Sequence, residues 1–320
     1  MKVSAALPTG VAALLFESAR RRREMEQRLV ARVVAAGYGE VILPILDYLE
    51  PYEQLLTPSS RAELYRFIDR DGEQLALRAD FTPMLARLLA PRIEGLPLPL
   101  RVFYRGDVIR YEEERAGRQR EFYQLGAELL GVGGEAGEQE VLRLFLDALA
   151  ASGVGDGEPV QVVLGLAGAL DRLLVGCGAP DPGALAAAVA RRERSEVRSR
   201  CPELLPVIES GLPANPEDLG EPAAGRLRAL LALRDELAPA VPQVRFSVDL
   251  AEFAATGHGE RSYYDGLVFR AYAGPSALPV GGGGRYDRMF LALDARVPAV
   301  GFSVSVDRLV EAGRGERAAR

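Results

Sequence analysis

Hydrophobic and polar residues alternate along residues 118–129, and this period of two predicts a strand with two unlike faces. The apolar face carries Tyr123, Leu125, Ala127 and Leu129. The polar face carries Arg118, Arg120, Phe122, Gln124, Gly126 and Glu128. Such a face either stands in solvent, as one side of an antiparallel sheet often does, or holds a ligand that satisfies its polar groups. Gly126, at its centre, leaves room and favours a ligand.

The rest of the chain alternates between helical spacing and short strand-like runs. A long amphipathic helix is predicted over residues 11–36, with Gly37 as its stop signal. A hairpin over residues 65–78 is predicted to turn at Asp71-Gly72. Further strands are predicted at 38–46, 160–164, 244–250, 263–272 and 299–304, and further helices at 84–89, 138–151, 167–174 and 307–312.

Two turn-like segments contain candidate functional residues. Pro83 stands where proline favours a helix start, so Thr82 is predicted to cap the helix, and Asp80 is left to face a cationic group. Four glycines, 281–284, follow a predicted strand. They either let the backbone approach a ligand closely or form a flexible loop.

The composition changes from about Gly176 to alanine, leucine, arginine and proline, with helical runs at 183–200 and 223–237. We interpret residues 176–243 as a helical insertion within a single domain that spans residues 1–320. Its surface is a candidate for contact with a partner.

Composition excludes several classes of protein. The 320 residues are 48% hydrophobic and 26% charged, with no apolar run long enough to span a bilayer and no secretory signal pattern, which predicts a cytoplasmic protein. A net charge of −6 gives no general attraction to nucleic acid.

Few residues are available for metal or nucleophilic chemistry. The only histidine is His258 and the only lysine is Lys2, which excludes a Walker lysine and a two-histidine metal site. Cys177 and Cys201 lack metal-ligand spacing and are predicted to be reduced thiols. No cofactor or metal is predicted, so the chemistry must rest on arginine, carboxylate, amide, tyrosine and backbone groups.

Five ordered stretches resemble the motifs of class II aminoacyl-tRNA synthetases, in particular the catalytic domain of histidyl-tRNA synthetase. The first helix with residues 37–46 resembles motif 1, the dimer-forming element; 109–112 with 117–124 resemble motif 2; and 301–309 resemble motif 3. Tyr263-Tyr264 and residues 282–287 resemble the two histidine-specific boxes. The resemblance implies an α+β fold, a mostly antiparallel sheet flanked by helices.

The resemblance also implies a ligand, the amino acid histidine. By position, Asp80, Thr82 and Gln124 would hold the α-ammonium, and Glu128 with Tyr264 the imidazole, next to Tyr263. Arg118 would face the carboxylate or a neighbouring charge. Nucleotide-contacting positions are matched by Arg110, Glu112 and Arg308.

Departures from the synthetase pattern affect the nucleotide end. Glu113-Glu114 replace Arg-Pro, which would repel a triphosphate by about 1 kcal/mol per close pair even in water. Ser305 replaces a glycine and would crowd the nucleotide, and Arg261 is displaced by two positions from the arginine that activates the carboxylate. No stretch resembles the C-terminal anticodon-binding domain of the enzymes.

This pattern is similar to the regulatory subunits of ATP phosphoribosyltransferase, which are synthetase paralogues. That resemblance implies a non-catalytic subunit that dimerises through motif 1, assembles with the short-form catalytic subunit, and is needed for its activity and its feedback inhibition by histidine in histidine biosynthesis. A truncated, ATP-dependent histidine-activating enzyme is the alternative, kept open by Arg110, Glu112 and Arg308. A tRNA-binding module is disfavoured by the net charge and the missing domain.

Overall fold

The protein is described from a computed structural model that covers residues 6–56, 58–111, 119–179, 181–253, 264–274 and 276–318. A central eight-stranded sheet has the order β1-β5-β6-β11-β10-β9-β7-β8. Its strands are β1 (Gly39–Glu40), β5 (Leu100–Ile109), β6 (Glu121–Leu130), β7 (Val160–Leu166), β8 (Val244–Val248), β9 (Leu267–Tyr272), β10 (Gly281–Arg285) and β11 (Ala299–Ser305). All neighbouring pairs are antiparallel except β1 with β5 and β7 with β8. The expected α+β fold is confirmed.

A second sheet of three strands, in the order β2-β4-β3, lies beside the first. It contains β2 (Leu46–Tyr48), β3 (Arg66–Ile68) and β4 (Gln74–Leu77), so the predicted hairpin is confirmed. The single strand predicted over residues 38–46 is wrong, because the chain leaves the large sheet after Glu40 and enters the small one at Leu46. The carbonyl oxygens of Leu43 and Pro44 in this connection both accept hydrogen bonds from Arg78 Nη1 at 2.7 Å.

Helices cover both faces of the large sheet. They are α1 (Glu17–Ala35), α2 (Glu50–Leu55), α3 (Pro58–Ala62), α4 (Phe81–Leu89), α5 (Gly134–Ser152), α6 (Ala169–Cys177), α7 (Pro182–Ala190), α8 (Arg194–Arg200), α9 (Leu205–Ser210), α10 (Ala223–Leu237), α11 (Asp287–Leu291) and α12 (Val306–Ala318). The first helix begins six residues later than predicted. Phe16, directly before it, has a φ of 48° in the left-handed region, which no helix interior tolerates. No helix in these ranges is long and apolar enough to cross a membrane.

The main core lies between the large sheet and helices α1 and α5. The predicted apolar face of β6 is confirmed, since Tyr123, Leu125, Ala127 and Leu129 all belong to this core and the last three are fully buried. Helices α7 to α10 lie in the long connection from β7 to its parallel neighbour β8. A parallel pair requires such a crossover, which explains where the helical segment is inserted.

The prediction of two reduced thiols is wrong. Cys177 at the end of α6 and Cys201 directly after α8 form a disulfide, with Cα atoms 5.9 Å apart. The sequence separation of 24 residues gave no sign of this pairing, because the contact depends on how α6 and α8 pack. The disulfide ties the end of α8 to the end of α6, where the inserted segment begins.

The four glycines at 281–284 do not form a flexible loop. They belong to β10, which pairs with β9 on one side and β11 on the other. A Cβ at Gly283 would overlap the backbone of Gly301 and Phe302 in β11. The flexible loop is therefore wrong, and close approach of this backbone to a ligand stays a prediction.

Candidate functional site

Glu128 lies at the centre of the site and is 1% exposed. Its Oε1 accepts hydrogen bonds from the hydroxyls of Thr82 at 2.9 Å and Tyr104 at 3.0 Å, and its Oε2 accepts from Tyr286 at 2.6 Å. These donors come from three elements, α4, β5 and the end of β10. The carboxylate therefore joins separate parts of the fold at one point.

Burial controls the protonation of Glu128. Loss of water raises the pKa of its carboxyl to about 7, although the three hydroxyl donors favour the charged form and oppose this rise. Near neutral pH the group can therefore either accept a hydrogen bond as a carboxylate or donate one as an acid. Either state suits an imidazole, which carries both a donor and an acceptor when neutral.

Thr82 does not cap its helix, contrary to prediction. The helix begins two residues earlier than predicted, at Phe81, and the Asp80 carboxylate accepts from the Thr82 backbone N–H at 3.0 Å. Aspartate caps through its side-chain oxygen as well as threonine does, and this leaves the threonine hydroxyl for Glu128. Asp80 also faces a cation as expected, since its Oδ2 lies 3.7 Å from Arg110 Nη2.

Gln124 is buried next to the same site. Its Nε2 lies 3.4 Å from the Ser303 hydroxyl, while its Oε1 has no hydrogen-bond partner among the described residues. A buried acceptor without a partner is uncommon and calls for a specific explanation. A ligand that donates a hydrogen bond at this position would provide one.

A small cavity lies between these side chains. It is lined by Asp80, Thr82, Tyr104, Glu128, Tyr264, Gly282, Tyr286, Gly301, Phe302 and Ser303. Its volume of about 20 Å³ has room for roughly one water molecule. An amino acid can enter only if lining side chains move.

Glycines make this arrangement possible. A Cβ at Gly301 would overlap the Glu128 carboxylate, and a Cβ at Gly126 would overlap the Tyr104 ring. The sequence pattern pointed to Gly126, but it missed Gly301, Tyr104 and Tyr286 as parts of the site. Tyr286 lies in a stretch already recognised, whereas Tyr104 is found only from its pairing with Gly126 across β5 and β6.

A second cluster lies at the start of β6. The guanidinium groups of Arg110 and Arg308 lie over the Phe122 ring, 5.4 and 5.6 Å from its centre. Arg110 Nε donates to the Ala79 carbonyl at 2.6 Å, and Arg308 Nη1 donates to the Pro279 carbonyl at 2.9 Å. The structure thus brings together two of the three predicted nucleotide residues.

Three predicted site residues, Glu112, Arg118 and Tyr263, lie outside the described residues, as do Glu113, Glu114, Arg261 and His258. Ser305 is buried, and its hydroxyl accepts from the Arg308 backbone N–H at 3.4 Å, as expected for a residue that caps α12. Among the described residues, no group of histidine, cysteine and carboxylate side chains is arranged to hold a metal ion.

Comparison with known proteins places this site in a family. Residues 10–309 match the sequence profile of histidyl-tRNA synthetase. The fold and the site therefore define a class II aminoacyl-tRNA synthetase-like protein of the histidyl type.

Individual proteins similar to this chain define the family more closely. The chain is 35% identical to an ATP phosphoribosyltransferase regulatory subunit from Moorella thermoacetica, over 98% of this chain and 82% of that protein. It is 32% identical to a histidine–tRNA ligase from Pyrobaculum neutrophilum, over 92% of this chain and 72% of the ligase. Its fold matches a crystal structure from Bacillus halodurans, described as an ATP phosphoribosyltransferase regulatory subunit/histidyl-tRNA synthetase, with a TM-score of 0.81, 26% identity, and coverage of 98% and 84%. The chain belongs to the family of ATP phosphoribosyltransferase regulatory subunits.

Proposed function

We propose that this chain is a non-catalytic regulatory subunit that binds histidine, activates a short-form ATP phosphoribosyltransferase catalytic subunit and makes it sensitive to inhibition by histidine. The observation that carries the proposal is the buried Glu128 with its three hydroxyl donors beside the unpaired oxygen of Gln124. These polar groups are buried on one face of the sheet, where a ligand could satisfy them.

Histidine would provide a donor for Gln124 Oε1, which lacks a partner among the described residues. Its ammonium would donate to Gln124 Oε1 and to Asp80, and its ring N–H would donate to Glu128. Tyr264 lines the cavity and would cover the imidazole. Since the cavity now has room for about one water molecule, binding must open it, and that movement gives the effector a structural consequence.

Regulation requires that histidine favour one state of the assembly over another. A coupling free energy of roughly 1–3 kcal/mol is typical. Within the single domain that we propose for residues 1–320, the helical insertion at 176–243 is a candidate surface for the catalytic partner.

Exposed apolar side chains support self-association through the motif 1 region. Ile42 is 90% exposed and Ile68 is 70% exposed, and Ile45, Leu46, Tyr48 and Phe67 on the same connection and small sheet are also exposed. A cluster of exposed apolar side chains of this kind is typical of a protein–protein interface. We propose that it forms a dimer within a larger hetero-oligomer.

Co-expression with a short-form catalytic subunit tests the proposal. The catalytic subunit alone should show little phosphoribosyl transfer, the pair should copurify and be active, and added histidine should lower that activity. A Glu128→Ala variant should still copurify and activate but lose the inhibition by histidine. Failure to copurify or to restore activity would overturn the proposed function.

The alternative is an ATP-dependent histidine-activating enzyme, which the grouping of Arg110, Phe122 and Arg308 favours. Against it, both arginines bind backbone carbonyls, and Ser305 fills the position of a glycine beneath the nucleotide. Histidine-dependent exchange of pyrophosphate into ATP separates the two functions. Turnover would establish the enzyme and remove the regulatory proposal.

A further inference from the structure

We propose that Arg270 binds the α-carboxylate of the amino acid that enters the Glu128 cavity, in place of the displaced synthetase arginine. The inference rests on the proposed binding of histidine, and it assigns a residue that no family motif indicates. It follows from the register of the sheet and from two glycines.

One row of residues crosses five strands on the face that holds the cavity. Tyr104 pairs with Gly126, Gly126 with Ser303, Ser303 with Gly282, and Gly282 with Arg270. Directly paired residues point to the same face of a sheet, at strand spacings of about 4.8 Å. Tyr104, Ser303 and Gly282 all line the cavity, so Arg270 stands on the same face one strand beyond it.

The two ends of this row are built alike. At one end Gly126 has no side chain, and Tyr104 lies across that position to reach Glu128. At the other end Gly282 has no side chain, and Arg270 Cγ lies 3.3 Å from the place where a Cβ of Gly282 would stand. The glycine leaves open the lateral path from the guanidinium to the cavity, as Gly126 does for the tyrosine.

Arg270 keeps donors available for a ligand. Its Nη1 donates to Glu252 Oε1 at 3.1 Å and its guanidinium lies over the Phe253 ring, 5.2 Å from the centre. Its side chain is 28% exposed, and its guanidinium also interacts with the Tyr272 hydroxyl. Arginine has five N–H donors, which allows a bidentate contact with a second carboxylate.

The carboxylate of the ligand requires a cationic partner, and the charges around the cavity favour one at the Gly282 end. Asp80 and Glu128 are arranged for the ammonium and imidazole of the ligand, so its carboxylate must lie away from them. Arg110 and Arg308 bind backbone carbonyls, and Arg285 is buried against Glu138 at 2.9 Å on another side of β10. Arg110 and Arg308 each bind a backbone carbonyl, whereas the hydrogen bond of Arg270 Nη1 is to a carboxylate, that of Glu252, which makes Arg270 the candidate at this end.

A comparison of two ligands tests the assignment. Calorimetry would measure the affinity of L-histidine and of histidinol, the amino alcohol that lacks the carboxylate, for the full chain. The wild type should prefer histidine. Arg270→Gln should weaken histidine binding at least tenfold and leave histidinol binding within about twofold, so that the preference disappears.

Control variants distinguish a failure of the Arg270 assignment from a failure of the proposed histidine binding. Arg270→Lys should restore part of the preference, and Arg245→Gln, at an exposed position on β8, should leave both affinities unchanged. If Arg270→Gln fails to fold, Glu252→Gln serves instead: it frees Arg270 and should tighten the binding of histidine but not of histidinol. An unchanged histidine-to-histidinol ratio in these variants overturns the role of Arg270, whereas a wild type that binds neither ligand overturns the proposed function itself.

Discussion

The two ends of one sheet face differ in what their polar side chains contact. At the Glu128 end, hydroxyl groups converge on a buried carboxylate around a small cavity, and the oxygen of Gln124 has no partner in the described structure. At the Phe122 end, the two arginines that would serve a nucleotide bind carbonyl oxygens of their own chain. One end thus has a buried acceptor without a partner among the described residues, whereas at the other end the arginines contribute hydrogen bonds to the fold.

Under the proposed function, the Glu128 end binds the effector and the Phe122 end does not bind a nucleotide. A charge that is held by backbone carbonyls contributes to local structure and must lose those contacts before it can bind a phosphate. A buried acceptor without a partner lowers the stability of the free protein. That stability is recovered only when a ligand donates a hydrogen bond to the acceptor. The predictions below test whether the two ends behave in these opposite ways.

The largest effect is expected from Gly301→Ala. The new Cβ would overlap the Glu128 carboxylate and displace the group that organises the cavity. Overpacking a core costs roughly 1–3 kcal/mol, and we expect this variant at or above the upper end of that range. Histidine affinity should fall by about 100-fold or more in calorimetry.

Gly313→Ala is the matched control for this variant. Gly313 lies in α12, and a Cβ there meets no neighbouring atom within 4 Å, so the free energy of unfolding should rise by about 0.5–1 kcal/mol. If the Gly301→Ala variant binds histidine as tightly as the wild type does, the Glu128 cavity is not the binding site.

The second prediction concerns the pH dependence of stability. The raised pKa of Glu128 means that the folded chain holds a proton that the unfolded chain releases between pH 4.5 and about 7. The free energy of unfolding therefore falls as the pH rises through this window, by about 3 kcal/mol for this group. Glu128→Gln should lack this component, so its stability relative to the wild type should increase from pH 5 to pH 8 in urea titrations. A constant difference across these pH values would contradict the raised pKa.

The third prediction separates stability from binding at Gln124. Methionine has a similar length and removes the buried oxygen that lacks a partner, so Gln124→Met should raise the free energy of unfolding by about 1 kcal/mol. The same change removes an acceptor for the ligand ammonium and should weaken histidine binding about tenfold. Thermal unfolding with and without histidine measures both effects. A variant that loses stability while it keeps its affinity would show that Gln124 serves the fold.

Local pattern was sufficient to predict much of this site. The period of two in residues 118–129 placed Gln124 and Glu128 on one face and the core residues on the other, as observed. The helix cap was wrong because Asp80 and Thr82 are both good caps, and only the fold shows that the threonine hydroxyl is engaged by Glu128.

Long-range packing set the limit of that prediction. Gly301 and Tyr104 belong to the site through pairing of β6 with its two neighbours, and Arg270 approaches it through the register of β9 and β10. The disulfide between Cys177 and Cys201 likewise depends on the packing of two helices. None of these contacts leaves a local periodicity in the sequence, because each depends on two segments that are far apart in the chain.

The smallest effect is expected from Arg308→Gln. Loss of the bond to the Pro279 carbonyl should reduce the free energy of unfolding by about 1 kcal/mol, because that hydrogen bond is charge-assisted and partly exposed. Histidine affinity should stay within twofold of the wild type, since the side chain contacts the Phe122 end and not the Glu128 cavity. Calorimetry with histidine, repeated with ATP present, provides the check. If the change weakened histidine binding only when ATP is present, the Phe122 end would still serve a nucleotide, and the contrast between the two ends would fail.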